Sequence, residues 1–318
     1  MDRSRQFEVL VMQILAGVFS GGAARVAGYF AGGDGASNFD SIEKILFSSD
    51  TNSVLGAVLT TGSLWHAGYA NSGVAGYVNG GEDATAPYLS RVDKLAFPAE
   101  TKSATTSLGG AREQANGFAN FAVAGYVAGG FSGAATLTSV SKNSFPSDTV
   151  TTTSSLTNSH ESGVGFANTG VAGYIASGTD GTNRINTVEK LTFPSDTRST
   201  LAATVTTAAQ FMGSGFSDQA VAGYSAGGSG AVAKLTTVDK FAYATDTKSV
   251  TTSLSETADL MMAMSNSGGA GYVALGRTTV TSRNVDKFSF PSDTLTTLTN
   301  KLTTARRRGS GFSDEGVF

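Results

Sequence analysis

The segment Val221-Ala222-Gly223-Tyr224-Ser225-Ala226-Gly227-Gly228 is one of six versions of a single pattern, with the Gly-Tyr step at Gly28, Gly76, Gly125, Gly173, Gly223 and Gly271. Successive anchors lie 48 to 50 residues apart. A fixed period of this length marks an array of similar supersecondary units, each of which buries its apolar faces against its neighbours. The 318 residues therefore need not divide into two unrelated domains.

Each unit reads as four short strands. The first is Gly-x-Gly-Phe-like, with a large apolar residue seven positions before the anchor: Tyr69, Phe118, Phe166, Phe216 and Met264. The second is the Val-Ala-Gly-Tyr-x-x-Gly-Gly segment. The third carries Val-Asp-Lys-Phe-like alternation around a lysine present in all six copies: Lys44, Lys94, Lys142, Lys190, Lys240 and Lys287. The fourth is rich in Thr and Ser, as in Thr197-Arg198-Ser199-Thr200, and β-branched residues suit a pleated surface. Ser217-Asp218-Gln219 and Pro194-Ser195-Asp196 supply turn chemistry between strands. Asp50, Glu100, Asp148, Asp196, Asp246 and Asp293 recur at the second of these breaks, and this pattern reads as a set of turn-formers before it reads as catalytic acids.

Composition supports a packed β protein. Glycine is abundant at 40 residues, yet 40% of the chain is hydrophobic, and its aromatic residues fall at fixed repeat positions. A net charge of −3 with only 15% charged residues gives no basic stripe for nucleic acid. The run Arg306-Arg307-Arg308 reads as a local ion-pairing cluster. The absence of cysteine excludes disulfides, thiolate metal sites and cysteine nucleophiles; the two histidines, His66 and His160, carry no metal-ligand spacing. No cofactor is expected.

The paired glycines after an apolar strand, at Gly32-Gly33, Gly80-Gly81, Gly129-Gly130 and Gly227-Gly228, resemble the kelch-type repeat of β-propellers over about residues 25–318. Ser177-Gly178 and Leu275-Gly276 are degenerate copies, and the later tryptophan of such repeats is missing, since Trp65 is the single tryptophan. The resemblance implies an all-β, six-bladed propeller of four-stranded antiparallel blades, with residues 21–318 forming the ring. Gly309-Ser310-Gly311-Phe312 repeats the first strand and places Phe312 as if Gly28 followed seven residues later. Val18-Phe19-Ser20 is out of that register by about two residues, so the C-terminal copy is expected to complete the first blade.

Residues 9–19 form an apolar run too short to span a bilayer as a helix. It reads as a retained segment that packs on the ring or on a sibling chain; a signal peptide cleaved near Gly22-Ala23-Ala24 is the alternative. Degenerate propellers of this kind also resemble virion and tail-associated proteins of tailed phages, particularly cyanophages. That resemblance implies a non-enzymatic structural or adhesion role in a virion or another surface assembly. Other assembly proteins, reached through residues 1–20, and host-surface glycans are the implied partners. A lectin or glycan-active enzyme using the channel mouth is the alternative.

Enzymatic signatures are not evident. The Phe-Pro-Ser-Asp-Thr turn lacks the Gly and Trp of sialidase boxes, and no phosphate loop or nucleophile elbow occurs. Glu113, His160, Glu161 and Asp259 read as solvated connection residues. The loop residues suited to recognition are Trp65, Tyr88, Arg184, Phe211, Arg277 and Arg283, because aromatic and arginine side chains are the usual anchors of binding surfaces. Trp65 and Phe211 also read as caps on the space between blades. If the C-terminal copy closes the ring, deletion of residues 309–318 should lower the melting temperature sharply; an unchanged thermal transition would overturn closure.

Overall fold

The computed structural model describes residues 27–97, 99–210 and 213–314. They form six four-stranded antiparallel sheets and one small two-stranded sheet, Ser63–Leu64 with Glu82–Asp83. No helix occurs among the described residues. The six sheets are the blades of a β-propeller. The third blade shows the pattern: inner strand Asn116–Asn120, then Ala124–Ala128, Val140–Ser144 and the outer Thr149–Thr152. Outer strands are largely exposed and Thr-rich, whereas the second strands are buried throughout.

The first blade is assembled from both ends of the described chain. Its inner strand is Ser310–Ser313, paired antiparallel with Ala27–Ala31 so that Tyr29 lies opposite Phe312. The register is that of Tyr77 opposite Tyr69 and Tyr126 opposite Phe118. The C-terminal copy of the strand therefore closes the ring. The apolar run at residues 9–19 lies outside the described residues.

Two kinds of glycine permit this packing. Gly117 and Gly165 lie on adjacent inner strands, where a Cβ at Gly165 would stand 2.2 Å from the Gly117 carbonyl oxygen. The anchor glycines face aromatic rings instead: a Cβ at Gly173 would lie 2.1 Å from the Phe118 ring of the preceding blade. Both are close approaches that no side chain allows.

Each tyrosine of the Gly-Tyr step is buried between two partners. Tyr126 stacks on Phe118 of its own blade and on Phe193 of the next, each at 5.2 Å. The same inter-blade stack recurs around the ring, from Tyr29–Phe97 to Phe47–Tyr272. The tyrosine hydroxyl then donates to the turn acid of the next blade: Tyr29 to Glu100, Tyr77 to Asp148, Tyr126 to Asp196, Tyr174 to Asp246, Tyr224 to Asp293 and Tyr272 to Asp50, at 2.7–3.0 Å. The repeat lysine of the tyrosine's own blade pairs with the same carboxylate at 2.5–2.7 Å in all six interfaces. In five of them its ammonium also stands 5.3–5.5 Å from the tyrosine ring. Burial and the adjacent carboxylate hold these hydroxyls far above the ordinary tyrosine pKa, so they remain donors.

This arrangement gives the six turn acids a second role. They do occupy turns, in left-handed backbone with φ near +50°, but their carboxylates cross to the preceding blade. The first turn is also shifted: Ser217 and Asp218 belong to the inner strand Ser214–Asp218, and the Asp218 carboxylate accepts the Gly268 N–H of the next blade at 3.1 Å.

A second inter-blade device uses the acid just before the repeat lysine. Asp93 accepts the Thr60 N–H, Glu189 those of Thr157 and Asn158, Asp239 that of Thr206, Asp286 that of Ser255, and Glu43 those of Thr303 and Thr304. In each case a buried acid caps the connection arriving from the preceding blade. Such carboxylates accept charge-assisted bonds, which are stronger than neutral ones.

Asp196→Ala would leave the Tyr126 hydroxyl and the Lys142 ammonium without their shared acceptor. The expected cost is about 1–3 kcal/mol, read as a lowered midpoint in denaturant unfolding. Stability unchanged in Asp196→Ala would show that the clamp contributes nothing.

Candidate functional site: the channel mouth

The glycine-pair turns and the inter-blade connections share one face of the disc. Just ahead of five of the six inner strands, Trp65, Gln114, Ser162, Leu260 and Arg308 occupy equivalent positions in left-handed backbone, with φ between +54° and +61°. Their backbones join in sequence around the axis: Trp65 N–H donates to Arg308 O at 2.7 Å, Gln114 to Trp65 at 2.7 Å, Ser162 to Gln114 at 2.9 Å, and Arg308 to Leu260 at 3.0 Å. Among the described residues the result is a ring segment of special backbone geometry, running from Leu260 to Ser162 around the channel mouth. Non-glycine residues in this region carry local strain that the surrounding packing must hold.

Below the ring the axis is nearly filled. The cavity there measures about 60 Å3 and is lined largely by Gly68, Gly117, Gly165, Gly215, Gly311 and Ala263. Ala263 stands where the other inner strands place glycine. The mouth is therefore a shallow platform over a narrow channel.

Charge is divided around the platform. On one side Arg277 forms a two-pronged pair with Asp259, Nε to Oδ1 at 2.8 Å and Nη2 to Oδ2 at 2.6 Å. Arg307 and Arg308 both approach Asp34, at 3.2 and 3.3 Å, and the Arg308 guanidinium lies 5.0 Å from the Trp65 ring centre. The ion-pairing reading of the arginine run is matched by these contacts, together with Arg306–Glu43 at 2.8 Å. On the other side stand Glu82, Glu113 and Glu161. Burial pushes Glu113 up to about 7, and the nearby Glu82 and Glu161 carboxylates add to the rise. Burial also raises Glu82 and Glu161 above the usual carboxylate range. Glu113 Oε1 accepts from Gln114 Nε2 at 3.0 Å, whereas its buried Oε2 has no partner among the described residues.

The sequence-selected residues fall in different places. Trp65 is on the ring itself, half-buried beneath Arg308. Arg277 belongs to the platform but is engaged by Asp259. Tyr88 sits edge-on to Phe131 at 5.9 Å. Arg184 donates to the Ser229 carbonyl at 3.2 Å. Arg283 donates to Leu302 O and borders a separate open groove with Asn52, Asn300 and Lys301, so it does not join the platform. Phe211 lies outside the described residues.

Three expected solvated residues are instead buried: Asp259 and His160 are fully inaccessible, and Glu113 nearly so. His160 Nδ1–H donates to the Ser177 carbonyl at 2.9 Å, and its Nε2 stands 3.4 Å from Glu189, so it serves the packing of the fourth blade. Gln114, Arg308 and Glu113 were missed as site residues. Their shared position four or five residues before the inner aromatic was the available signal. Among the described residues no group of three His, Cys, Asp or Glu side chains fits a metal ion. No protein-family model matches the sequence, and no curated protein matches it significantly.

The raised Glu113 has a defined linkage sign. Its folded pKa exceeds the unfolded carboxylate value, so the folded chain retains a proton that the unfolded chain has lost. Stability from this group is complete below about pH 4.5 and is lost as pH rises to about 7. His66, lowered to about 4 by burial, acts oppositely, losing stability as pH falls from about 6.5 to 4. Glu113→Gln should therefore raise the melting temperature at pH 8 relative to the parent and leave it nearly unchanged at pH 4.5. A parent–variant difference that is flat across this range would contradict the assignment.

Proposed function

We propose that this chain is a non-enzymatic recognition and structural propeller that presents its channel mouth to a glycan or protein surface. The observation that carries the reading is the platform: the half-buried Trp65 ring, flanked by Arg308, beside Gln114 and the Glu82–Glu113–Glu161 group. An aromatic face takes the apolar face of a sugar ring or a partner side chain, and the surrounding amide, carboxylate and guanidinium groups fix orientation through hydrogen bonds. Six clamped blades hold the platform rigid, which limits the conformational cost of binding. The kelch-like repeat and its likeness to tailed-phage propellers favour a virion or other surface assembly as the setting. Residues 1–20 are the proposed attachment segment to sibling or assembly proteins.

A glycan-active enzyme is the second reading, favoured by the raised Glu113 carboxyl, which a general acid requires near neutral pH. The two readings separate on product formation. Trp65 is the only tryptophan, so intrinsic emission reports on the platform directly. Glycans captured on an array should change that emission saturably and remain intact, and Trp65→Ala should abolish capture while the chain still unfolds cooperatively. Capture that persists in Trp65→Ala would move recognition elsewhere, and cleavage of the captured glycan would establish the enzyme reading.

A further inference from the structure

The repeat supplies its own control for one buried charge. Arg306 and Arg112 hold equivalent positions six residues before Phe312 and Phe118. Arg306 Nη1 donates to Gly32 O and Ser41 O, each at 3.1 Å; Arg112 Nη1 donates to Gly129 O and Ser139 O, also at 3.1 Å. The two guanidiniums are thus anchored alike, and each leaves its Nε without a partner among the described residues.

They differ at Nη2. In Arg306 it donates to Ser41 Oγ at 3.0 Å and to the Glu43 carboxylate at 2.8 Å. In Arg112 it has no hydrogen-bond partner among the described residues, because the position of Glu43 is taken by Ser141. Arg112 is nonetheless only 4% exposed. Burial lowers its pKa, whereas at Arg306 the Glu43 carboxylate offsets part of the same effect. A buried cation without a counter-charge is costly, since its desolvation is not repaid by pairing.

The backbone around it is short of the same group. Glu43 also accepts the N–H groups of Thr303 and Thr304, and acids cap the connections into the other four blades. The counterparts of Thr303 and Thr304 in the connection leading into the third blade are Gly109 and Gly110. They have no carboxylate partner among the described residues. Both are exposed, and open space surrounds the position of a Cβ at Gly110, so a small solute has access. In the first blade Glu43 draws the Thr303 and Thr304 N–H groups and Arg306 Nη2 onto one carboxylate; by the repeat, the Gly109 and Gly110 N–H groups and Arg112 hold the corresponding positions, a donor set suited to an anion.

We propose that the interface of the second and third blades binds a small monoanion, a halide or a simple carboxylate, held by Arg112 Nη2 and the N–H groups of Gly109 and Gly110. The ion occupies the place that a glutamate or aspartate side chain fills in the five other blades. It completes the sixfold set of capped connections with a ligand taken from solution.

The test is thermal unfolding of the full chain at pH 7.5 and fixed ionic strength, with sodium isethionate, which is neither a halide nor a carboxylate, replaced stepwise by sodium chloride or sodium formate. A ligand bound only by the folded state raises the melting temperature saturably, here by about 2 °C. Chloride and formate arms distinguish halide from carboxylate preference. Ser141→Glu supplies the missing carboxylate internally and should be insensitive to the exchange. Arg112→Met removes the cation and should be insensitive too, which keeps the test valid if Ser141→Glu does not fold. An equal response in the parent and both variants would be a general salt effect, and this result, or no response in the parent, would overturn the site.

Discussion

Everything in this ring depends on a carboxylate shared across each blade interface. One turn acid receives a tyrosine hydroxyl and a lysine ammonium from the preceding blade, while the aromatic residue before the turn covers the same tyrosine ring. A single exposed ion pair is worth little. Here the acceptor is used twice, the donors are partly buried, and the stack excludes water from one side, so each element limits the motion of the others. The interface between the sixth and first blades obeys the same rule through Tyr272, Lys287 and Asp50. Closure therefore has the chemistry of any other interface, supplemented by the inner strand Ser310–Ser313.

That constraint decides where variation is possible. The clamp lies at the face of the tight turns, and the crowded glycines occupy the axis. The opposite face is left with the connections and the ring of left-handed residues, whose side chains differ from blade to blade: Trp65, Gln114, Ser162, Leu260 and Arg308. The backbone of this ring is uniform while its chemistry is not. Such a combination, a fixed scaffold displaying variable side chains, is the usual physical basis of a recognition surface.

The architecture was legible because it rests on local repetition. The period gave the blade count, Phe312 gave the closing register, and strand alternation gave the buried faces. What stayed hidden were partnerships between blades. Asp196 looks like a turn residue from its neighbours Pro194 and Ser195, and it is one; its contacts to Tyr126 and Lys142 join residues far apart in sequence. His160, Asp259 and Glu113 read as loop residues because a sequence segment does not show what the adjacent blade lays over it. The regular recurrence of Glu43, Asp93, Glu189, Asp239 and Asp286 one residue before the lysine was a readable signal of burial, since alternation alone does not call for an acid there.

In a repeat protein each blade states what the position requires, so a departure is informative in proportion to how well the other copies agree. Ala263 departs from glycine at the axis, and Asn52 stands where Lys102, Arg198 and Lys248 reach toward the incoming connection. At Asn52 the change is compensated inside the chain, since its amide donates to Glu43 and Thr303. Ser141 is different, because its loss of charge is matched by no change at Arg112, whose anchoring bonds are those of Arg306. A buried guanidinium with Ser141 in place of the carboxylate has the donors of the first-blade site without its acceptor, which is the arrangement that an exchangeable anion completes.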